Sequence, residues 1–165
     1  MKLPPLPENF ESIKLLALDF DGVMTDDRVL VDETGREAVW CKRGDGMGIA
    51  MVKAEGIPVV VISTEENQVV QARCNKLKIT CFHGCEDKLS VLKQVAENHQ
   101  LEAQAIAYVG NDVNDLQCLN WVGLSIAVAD AVDEVIAVAD IVTEIKGGHG
   151  AVREICNALV RSRKL

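Results

Sequence analysis

The stretch Leu15-Leu16-Ala17-Leu18-Asp19-Phe20-Asp21-Gly22 decides the fold of this chain. It is an apolar run of strand length that ends in two aspartates one residue apart, followed by a glycine. Residues i and i+2 of a strand point to the same side, so both carboxylates can converge on one point beyond the strand end. Two like charges this close raise each other's pKa unless a cation shares the site. The pair therefore suits a hard cation such as Mg²⁺, and it also offers a nucleophile beside a carboxyl group that can move a proton.

Strand and helix patterns alternate along the rest of the chain. Ile57 to Ile62 is rich in β-branched residues and is typical of a buried strand. Ser63-Thr64-Glu65-Glu66 matches the capping box that opens a helix. The alternation predicts an α/β fold with a Rossmann-like parallel sheet and helices on both faces. We expect a single domain over residues 13–165, preceded by a flexible, proline-containing arm over residues 1–12.

One segment interrupts this alternation. Residues 28–32 and 37–41 flank a Glu33-Thr34-Gly35 turn, which predicts a β-hairpin that projects after the first strand. Both arms are apolar at consecutive positions, so both faces of the hairpin need cover. Burial against sister subunits is the preferred interpretation. The alternative is that the hairpin folds back onto the core of its own chain.

The composition limits the classes of partner. The net charge is −8, with 25 acidic against 17 basic residues, and only Arg161 to Lys164 forms a basic cluster, so no nucleic-acid partner is expected. No apolar stretch approaches the roughly 20 residues that a membrane span requires, so no membrane association is expected either. The six cysteines contain no CxxC pair, which favours reduced thiols and a cytoplasmic location.

Polar residues follow four of the predicted strands, at the edge where ligands bind in parallel α/β sheets. They are Asp19 and Asp21 after the first, Ser63 and Thr64 after the second, Lys88 after the third, and Gly110-Asn111-Asp112-Val113-Asn114-Asp115 after the fourth. Any one of them is weak evidence, because a lone lysine or serine at a helix start is usually a solvated cap. Four in order predict one site.

This ordered set resembles the four motifs of the haloacid dehalogenase superfamily of phosphohydrolases. Residues 19–26 and 147–154 resemble one branch of it. That branch holds the 3-deoxy-D-manno-octulosonate 8-phosphate phosphatases, the nonulosonate 9-phosphate phosphatases and the phosphatase-like domain of some acylneuraminate cytidylyltransferases. The resemblance implies a Mg²⁺-dependent phosphomonoesterase that acts on a small, anionic sugar-acid phosphate.

The resemblance also implies a role for each motif residue. Asp19 would attack phosphorus and form an aspartyl-phosphate, and Asp21 would act as the general acid and base. Ser63 would hydrogen-bond a phosphate oxygen, with Thr64 beside it, and Lys88 would balance the negative charge. Mg²⁺ would be held by Asp19, by the main-chain carbonyl of Asp21 and by the acidic loop.

One position departs from the superfamily pattern. The residue after the loop glycine is usually a metal-binding aspartate, and here it is Asn111. An amide oxygen can still bind Mg²⁺, but the site loses one negative charge, so weaker metal affinity is expected. Alternatively, Asp112 takes over, directly or through water. Asp115 is expected to anchor the loop or Lys88 rather than to touch the metal.

The segments that separate Asp21, Ser63 and Lys88 are too short for the cap domain that many superfamily members carry. The predicted site is therefore capless, and either a macromolecular substrate or another subunit covers it. The hairpin favours a subunit, and the resemblance implies a homotetramer in which the hairpin and the C-terminal tail cap neighbouring sites. Arg153, behind the Gly147–Gly150 stretch, is a candidate for binding the substrate carboxylate, and Arg43 is a second candidate.

Three other functions stay open from the sequence. The first is a non-catalytic or weakly active assembly module associated with an acylneuraminate cytidylyltransferase, which Asn111 favours and the other motif residues oppose. The second is a signalling receiver phosphorylated on aspartate, although its acceptor normally follows a later strand. The third is a protein phosphatase, which an open site allows and the hairpin disfavours.

Overall fold

A computed structural model describes residues 8–164 of the chain. Its elements in chain order are β1 (Leu15–Leu18), β2 (Thr25–Val31), β3 (Glu37–Cys41), α1 (Arg43–Ala54), β4 (Val59–Ile62), α2 (Val69–Leu77), β5 (Thr80–Phe82), α3 (Lys88–Asn98), β6 (Ile106–Gly110), α4 (Leu116–Trp121), β7 (Leu124–Ala127), α5 (Asp133–Val138), β8 (Ile141–Val142) and α6 (Ala151–Ser162). Short 3₁₀ turns lie at Glu8–Ser12, Ala103–Ala105 and Val113–Asp115.

Six strands form one parallel sheet in the order β5-β4-β1-β6-β7-β8. Strand β1 lies at the centre, with Leu16 opposite Val59 on one side and Ala107 on the other. All residues of β1, β4, β6 and β7 are buried, as expected for strands that are covered on both faces. The predicted α/β fold with a parallel sheet is confirmed.

The helices pack in two groups. Helix α1 packs against α6, whereas α3, α4 and α5 pack against one another in sequence. Because these strands pair in parallel, the carboxyl ends of β1, β4, β5 and β6 meet at one edge of the sheet. None of the helices within residues 8–164 has both the length and the apolar character needed to cross a bilayer.

A tight turn ends β1. The Phe20 carbonyl accepts the N–H groups of Val23, Met24 and Thr25 at 3.3, 2.8 and 3.2 Å, and the Thr25 hydroxyl accepts the N–H of Gly22 at 3.1 Å. Gly22 has a positive φ of 77°, which favours glycine. This turn reverses the chain immediately after the aspartate pair and starts β2 beside it.

The predicted capping box at Ser63 does not start a helix. Residues 63–68 form successive turns instead, in which the side chains of Ser63, Glu65 and Asn67 each accept the N–H two residues on. Polar side chains that bond their own backbone compete with helix formation. Helix α2 therefore begins at Val69, and Ser63 stays at the end of its strand.

Strands β2 and β3 pair as an antiparallel hairpin, as predicted. Four of its apolar side chains remain exposed, with exposed fractions of 53% for Val29, 67% for Leu30, 55% for Val31 and 71% for Trp40. Val39 and Cys41 of β3 are partly buried against the core. The hairpin therefore packs in part on its own chain, and burial of its remaining apolar surface against sister subunits stays a prediction. The hairpin is the only addition to the α/β sheet between Asp21 and Ser63 besides α1, so the described fold is capless.

The predicted flexible arm falls partly outside the described residues, which begin at Glu8. Within them, Glu8–Ser12 form a 3₁₀ turn that packs against α6, and Phe10 is buried. The guanidinium of Arg163 also donates to the carbonyl of Ile13. The ordered chain thus begins at least five residues before the predicted domain boundary, because burying an aromatic ring stabilises the turn.

Candidate active site

A buried lysine bridges two carboxylates at the carboxyl edge of the sheet. The Nζ atom of Lys88 lies 2.8 Å from Oδ1 of Asp19 and 2.8 Å from Oδ1 of Asp115. All three side chains are almost inaccessible to solvent. Burial acts to lower the pKa of Lys88, yet the two carboxylates together raise it above its ordinary value. The ammonium group is therefore held charged between its partners.

Asp115 connects this lysine to the loop after β6. Its Oδ1 also accepts the hydroxyl of Tyr108 at 2.7 Å, and its Oδ2 accepts the main-chain N–H of Asn111 at 2.9 Å. The carboxylate thus fixes both Lys88 and the loop backbone. Tyr108 is a site residue that the motif pattern does not predict. Its signal in the sequence is a phenol inside an otherwise apolar strand, since a buried hydroxyl needs a partner.

Both aspartates of the central pair have raised pKa values. Burial is the main cause for Asp19, repulsion from Asp115 adds to it, and Lys88 opposes it, so that the pKa of Asp19 rises to about 7. Asp21 is about half buried, and burial followed by repulsion from Glu65 and Asp27 raises its pKa to about 6. These values describe the protein without a bound cation, which would lower both.

Asn111 brings its side-chain amide to the same pair. One terminal atom of the amide lies 3.0 Å from the main-chain oxygen of Asp21 and 3.1 Å from Oδ2 of Asp19. Neighbouring ligands of a Mg²⁺ octahedron with bonds of 2.0–2.1 Å are separated by about 3 Å. With the amide oxygen in this position, a carboxylate, a carbonyl and an amide converge at the spacing of a Mg²⁺ site. These residues therefore fit a divalent cation.

The donor set explains why no acidic cluster marks the site. Within residues 8–164, no three His, Cys, Asp or Glu side chains converge in a way that could hold a metal ion. The three candidate ligand oxygens belong instead to the Asp19 carboxylate, the main-chain carbonyl of Asp21 and the side-chain amide of Asn111. Asp112, the alternative ligand, is exposed, and its carboxylate accepts the N–H of Val113 at 2.6 Å. The Asp112 carboxylate thus bonds within its own turn, whereas the Asn111 amide lies beside the Asp19 carboxylate and the main-chain carbonyl of Asp21.

Ser63 and Thr64 occupy the end of β4 beside this cluster. The main chain of Ser63 is fixed by bonds to the carbonyl of Phe82 at 2.8 Å and the N–H of Cys85 at 2.9 Å. Its buried hydroxyl accepts the N–H of Glu65 at 3.1 Å, which leaves its own proton free to be donated. The exposed Thr64 hydroxyl lies 3.4 Å from the amide nitrogen of Asn114. The loops after β4 and β6 therefore touch.

A cavity of about 260 Å³ opens beside Asp21, between the hairpin and α2. Its lining is mainly acidic, with Asp27, Glu37 and Glu65 joining Asp21, and it includes Arg28. Carboxylates of this kind accept hydrogen bonds from hydroxyl groups. The cavity therefore suits a neutral, hydroxyl-rich part of a ligand better than a second anion.

A second cavity of about 350 Å³ adjoins the first, because Val39 and Val69 line both. Three cations line this second cavity: Arg43, Arg73 and Lys76. Of these, only Arg43 was predicted from the sequence. Arg73 and Lys76 lie three positions apart on α2, a spacing that places two side chains on the same face of a helix.

Arg153 lies elsewhere, on α6 against α1. Its main-chain N–H donates to Oδ1 of Asp45 at 2.9 Å, and its guanidinium donates to the carbonyl of Gly44 at 3.3 Å and to Asn157 at 2.9 Å. It lines neither cavity beside Asp21. Packing between two helices of its own chain thus occupies part of its side chain, and binding of the substrate carboxylate by Arg153 stays a prediction.

The Gly147–Gly150 stretch packs on its own chain. The N–H of Gly147 donates to Oδ1 of Asp130 at 2.9 Å, and the N–H of Gly148 donates to the carbonyl of Val23 at 3.0 Å. A Cβ atom at Gly147 would lie 1.7 Å from the carbonyl oxygen of Gly22, so only glycine permits this approach. The stretch thus supports the turn after β1 of its own chain, and capping of a neighbouring site by the C-terminal tail stays a prediction.

Comparison with known families matches residues 49–155 to the haloacid dehalogenase-like hydrolases. The chain belongs to this family. It is 39% identical over 151 residues to the 3-deoxy-D-manno-octulosonate 8-phosphate phosphatase of Shigella flexneri, which covers 91% of this chain and 80% of that protein. Membership of this hydrolase family and the phosphatase relatives make it a phosphoric monoester hydrolase.

Two solved structures of haloacid dehalogenase-like proteins have the same fold. A putative hydrolase of this family from Streptomyces avermitilis is 49% identical, with a TM-score of 0.89 over 93% of this chain and 88% of that one. The 3-deoxy-D-manno-octulosonate 8-phosphate phosphatase of Moraxella catarrhalis, in complex with a magnesium ion, a phosphate ion and a KDO molecule, is 30% identical. Its TM-score is 0.92 over 95% of this chain and 91% of that one.

The raised pKa values predict how stability depends on pH when no cation is bound. Between about pH 4 and pH 7 the unfolded aspartates are ionised, whereas folded Asp19 and Asp21, with pKa values of about 7 and 6, still hold protons. Stability should therefore fall as the pH rises through this range, by several kcal/mol, since each unit of pKa difference corresponds to about 1.4 kcal/mol. Urea unfolding in a chelator would measure it. Asp19→Asn should remove the larger part of the dependence and leave the part that belongs to Asp21, and an unchanged slope in this variant would contradict the assignment.

Proposed function

We propose that this haloacid dehalogenase-like hydrolase is a Mg²⁺-dependent phosphatase of a 3-deoxy sugar-acid phosphate, an octulosonate or a nonulosonate. The observation that carries the proposal is the environment of Asp19. Lys88 holds one of its carboxylate oxygens, and the other faces the carbonyl of Asp21 and the amide of Asn111. This arrangement suits a carboxylate nucleophile with a cation beside it. The similarity to sugar-acid phosphatases supports the substrate class.

In the first step, a carboxylate oxygen of Asp19 attacks phosphorus and the bond from phosphorus to the sugar oxygen breaks. The products are an aspartyl-phosphate and a sugar alkoxide, which Asp21 protonates as it leaves. Lys88 fixes the orientation of the nucleophile through its 2.8 Å contact. The Ser63 hydroxyl, at the end of the neighbouring strand β4, donates to a phosphoryl oxygen, with Thr64 at the rim of the site.

In the second step, the Asp21 carboxylate takes a proton from water and the resulting hydroxide attacks phosphorus. The bond between phosphorus and Asp19 breaks, which releases inorganic phosphate and restores the free carboxylate. Burial raises the pKa of Asp21, which opposes the lowering by a bound cation and favours a carboxyl group that is an acid in one step and a base in the next. Burial of this side chain thus supports both proton transfers.

Asp19, the carbonyl of Asp21 and Asn111 would hold the Mg²⁺ ion. When bound, the ion would neutralise charge on the phosphoryl oxygens. Asp115 contributes indirectly, since it positions Lys88 and the loop that carries Asn111. Asp112 stays at the rim, where it caps its own turn.

The two cavities support a sugar acid as the substrate. The acidic cavity beside Asp21 would receive the hydroxyl groups of the sugar, and the basic cavity next to it would receive the carboxylate. Arg43, Arg73 and Lys76 line the basic cavity, and guanidinium groups bind carboxylates well. If the phosphate binds at Asp19 and the carboxylate binds at these basic residues, both ends of one substrate molecule are held.

The exposed hairpin supports a homotetramer in which it covers neighbouring sites. Four of its apolar side chains are more than half exposed in the single chain: Val29, Leu30, Val31 and Trp40. Apolar surface of this kind is characteristic of a subunit interface. All six cysteines are free thiols, so we also propose the reducing cytoplasm as the location of the assembly.

Replacing the nucleophile tests the reaction. Asp19→Asn should abolish turnover of a sugar-acid phosphate, by at least about 10³-fold, because the amide cannot form the acyl phosphate. A panel of octulosonate, nonulosonate and hexose phosphates, assayed for kcat/KM with and without Mg²⁺, would identify the substrate. Turnover that survives in this variant, or activity independent of divalent cations, would contradict the proposal. No turnover of any panel member would favour the non-catalytic assembly module.

Replacing exposed basic residues of the basic cavity tests whether this cavity binds the substrate carboxylate. Arg43→Ala and Lys76→Ala should each raise KM for the sugar-acid phosphate about tenfold with little change in kcat, because they remove ground-state binding. Neither should alter KM for p-nitrophenyl phosphate, which has no carboxylate. Lys14→Ala is the matched control, because it removes one exposed positive charge at the amino end of β1, on the opposite edge of the sheet from the site. Equal KM changes for both substrates would overturn this part of the proposal.

Charging the hairpin tests the assembly. Leu30→Glu should convert the tetramer to smaller species, because it places a charge within the proposed apolar interface. Light scattering coupled to size-exclusion chromatography would measure the mass. Thr34→Glu introduces the same charge at the hairpin turn and should leave the mass unchanged. A wild-type protein that is monomeric at micromolar concentrations would refute the assembly.

A further inference from the structure

We propose that the Asn111 side chain is a two-position element of the cation site. Without a cation its amide nitrogen donates to Oδ2 of Asp19 and to the carbonyl of Asp21. With a cation bound, the amide turns by half a rotation and presents its oxygen instead. This inference rests on the cation site of the proposed function and concerns what holds that site together before the ion arrives.

The geometry of one atom position carries the inference. The amide atom nearest the pair lies 3.0 Å from the Asp21 oxygen and 3.1 Å from Oδ2 of Asp19. When the Asp19 carboxylate is ionised, both partners are acceptors, so an oxygen in that position has no donor and needs a cation between the three. A nitrogen in the same position makes two hydrogen bonds of ordinary length. The position therefore serves either atom, and the presence of the ion decides which.

The surroundings fix the backbone of Asn111 and leave only the amide free to turn. Its main-chain N–H donates to Oδ2 of Asp115 at 2.9 Å, and its carbonyl accepts the N–H of Val132 at 2.9 Å. The other terminal amide atom lies over Gly22, where a Cβ would approach it to 2.0 Å. The missing side chain at Gly22 therefore leaves room for either amide atom, and a rotation moves no backbone.

An aspartate at this position could not serve both purposes. A carboxylate has no hydrogen to donate, and it would add a negative charge beside the ionisable Asp19 and the carbonyl of Asp21. Such a site binds a cation more tightly but repels itself when the cation is absent. Asparagine gives weaker cation binding, and in return the cation-free site stays assembled.

The first experiment compares thermal unfolding in EDTA and in saturating Mg²⁺ for the wild type, Asn111→Asp and Asn114→Asp. The last variant adds the same charge to the same loop at an exposed side chain, which lies 3.4 Å from the Thr64 hydroxyl. In EDTA, Asn111→Asp should melt roughly 4–10 °C below the wild type, while Asn114→Asp stays within about 2 °C. In Mg²⁺ the deficit should close, and calorimetry should show roughly tenfold tighter Mg²⁺ binding. Equal melting of Asn111→Asp and the wild type in EDTA would overturn the inference.

The second experiment uses the unaltered protein, so it does not depend on how well a variant folds. The side-chain NH₂ signals of Asn111 in ¹⁵N-labelled protein are assigned by their disappearance in Asn111→Asp. In EDTA they should be protected from exchange with water, because both bonds are buried. Mg²⁺ should shift them and increase their exchange. Signals that do not respond to saturating Mg²⁺ would overturn the inference even if turnover is normal, whereas the expected response without turnover would overturn only the proposed function.

Discussion

The rest of the site depends on one buried ammonium group held between two carboxylates. Lys88 contacts Asp19 from the strand at the centre of the sheet and Asp115 from the loop after β6. Removing one partner of a buried pair costs about 3–5 kcal/mol, because the remaining charge has no compensation. The interaction thus joins three separate parts of the chain through groups that are also proposed for catalysis. The same contacts therefore contribute both to the stability of the fold and to the proposed catalysis.

The hairpin and α2 divide the space beside Asp21 into an acidic and a basic cavity. This division would give the proposed substrate, with its phosphate, hydroxyl groups and carboxylate, a defined direction. A fold without a cap domain could provide specificity in this way, since two strands and one helix would supply the walls. The apolar outer surface of the hairpin then remains available to a second subunit, which would keep water from an otherwise open site.

The sequence predicted the sheet and the set of strand-end residues because both follow from local rules. Apolar runs give buried strands, and parallel topology brings their carboxyl ends together, as it does for Asp19, Lys88 and Asn111. It failed where tertiary contacts decide. Ser63 matches a capping box, but its side chain bonds the turn instead. Arg73 and Lys76 gain a role only once α2 lies beside the hairpin.

The contact between Gly147 and Gly22 has a consequence for how the protein matures. The turn that follows the catalytic strand is supported by a segment more than 120 residues later in the chain. During synthesis, therefore, the nucleophile would leave the ribosome long before its supporting segment. A nascent chain would be unable to hydrolyse phosphate esters until the Gly147 segment had left the ribosome, and the order of translation would itself delay the onset of activity.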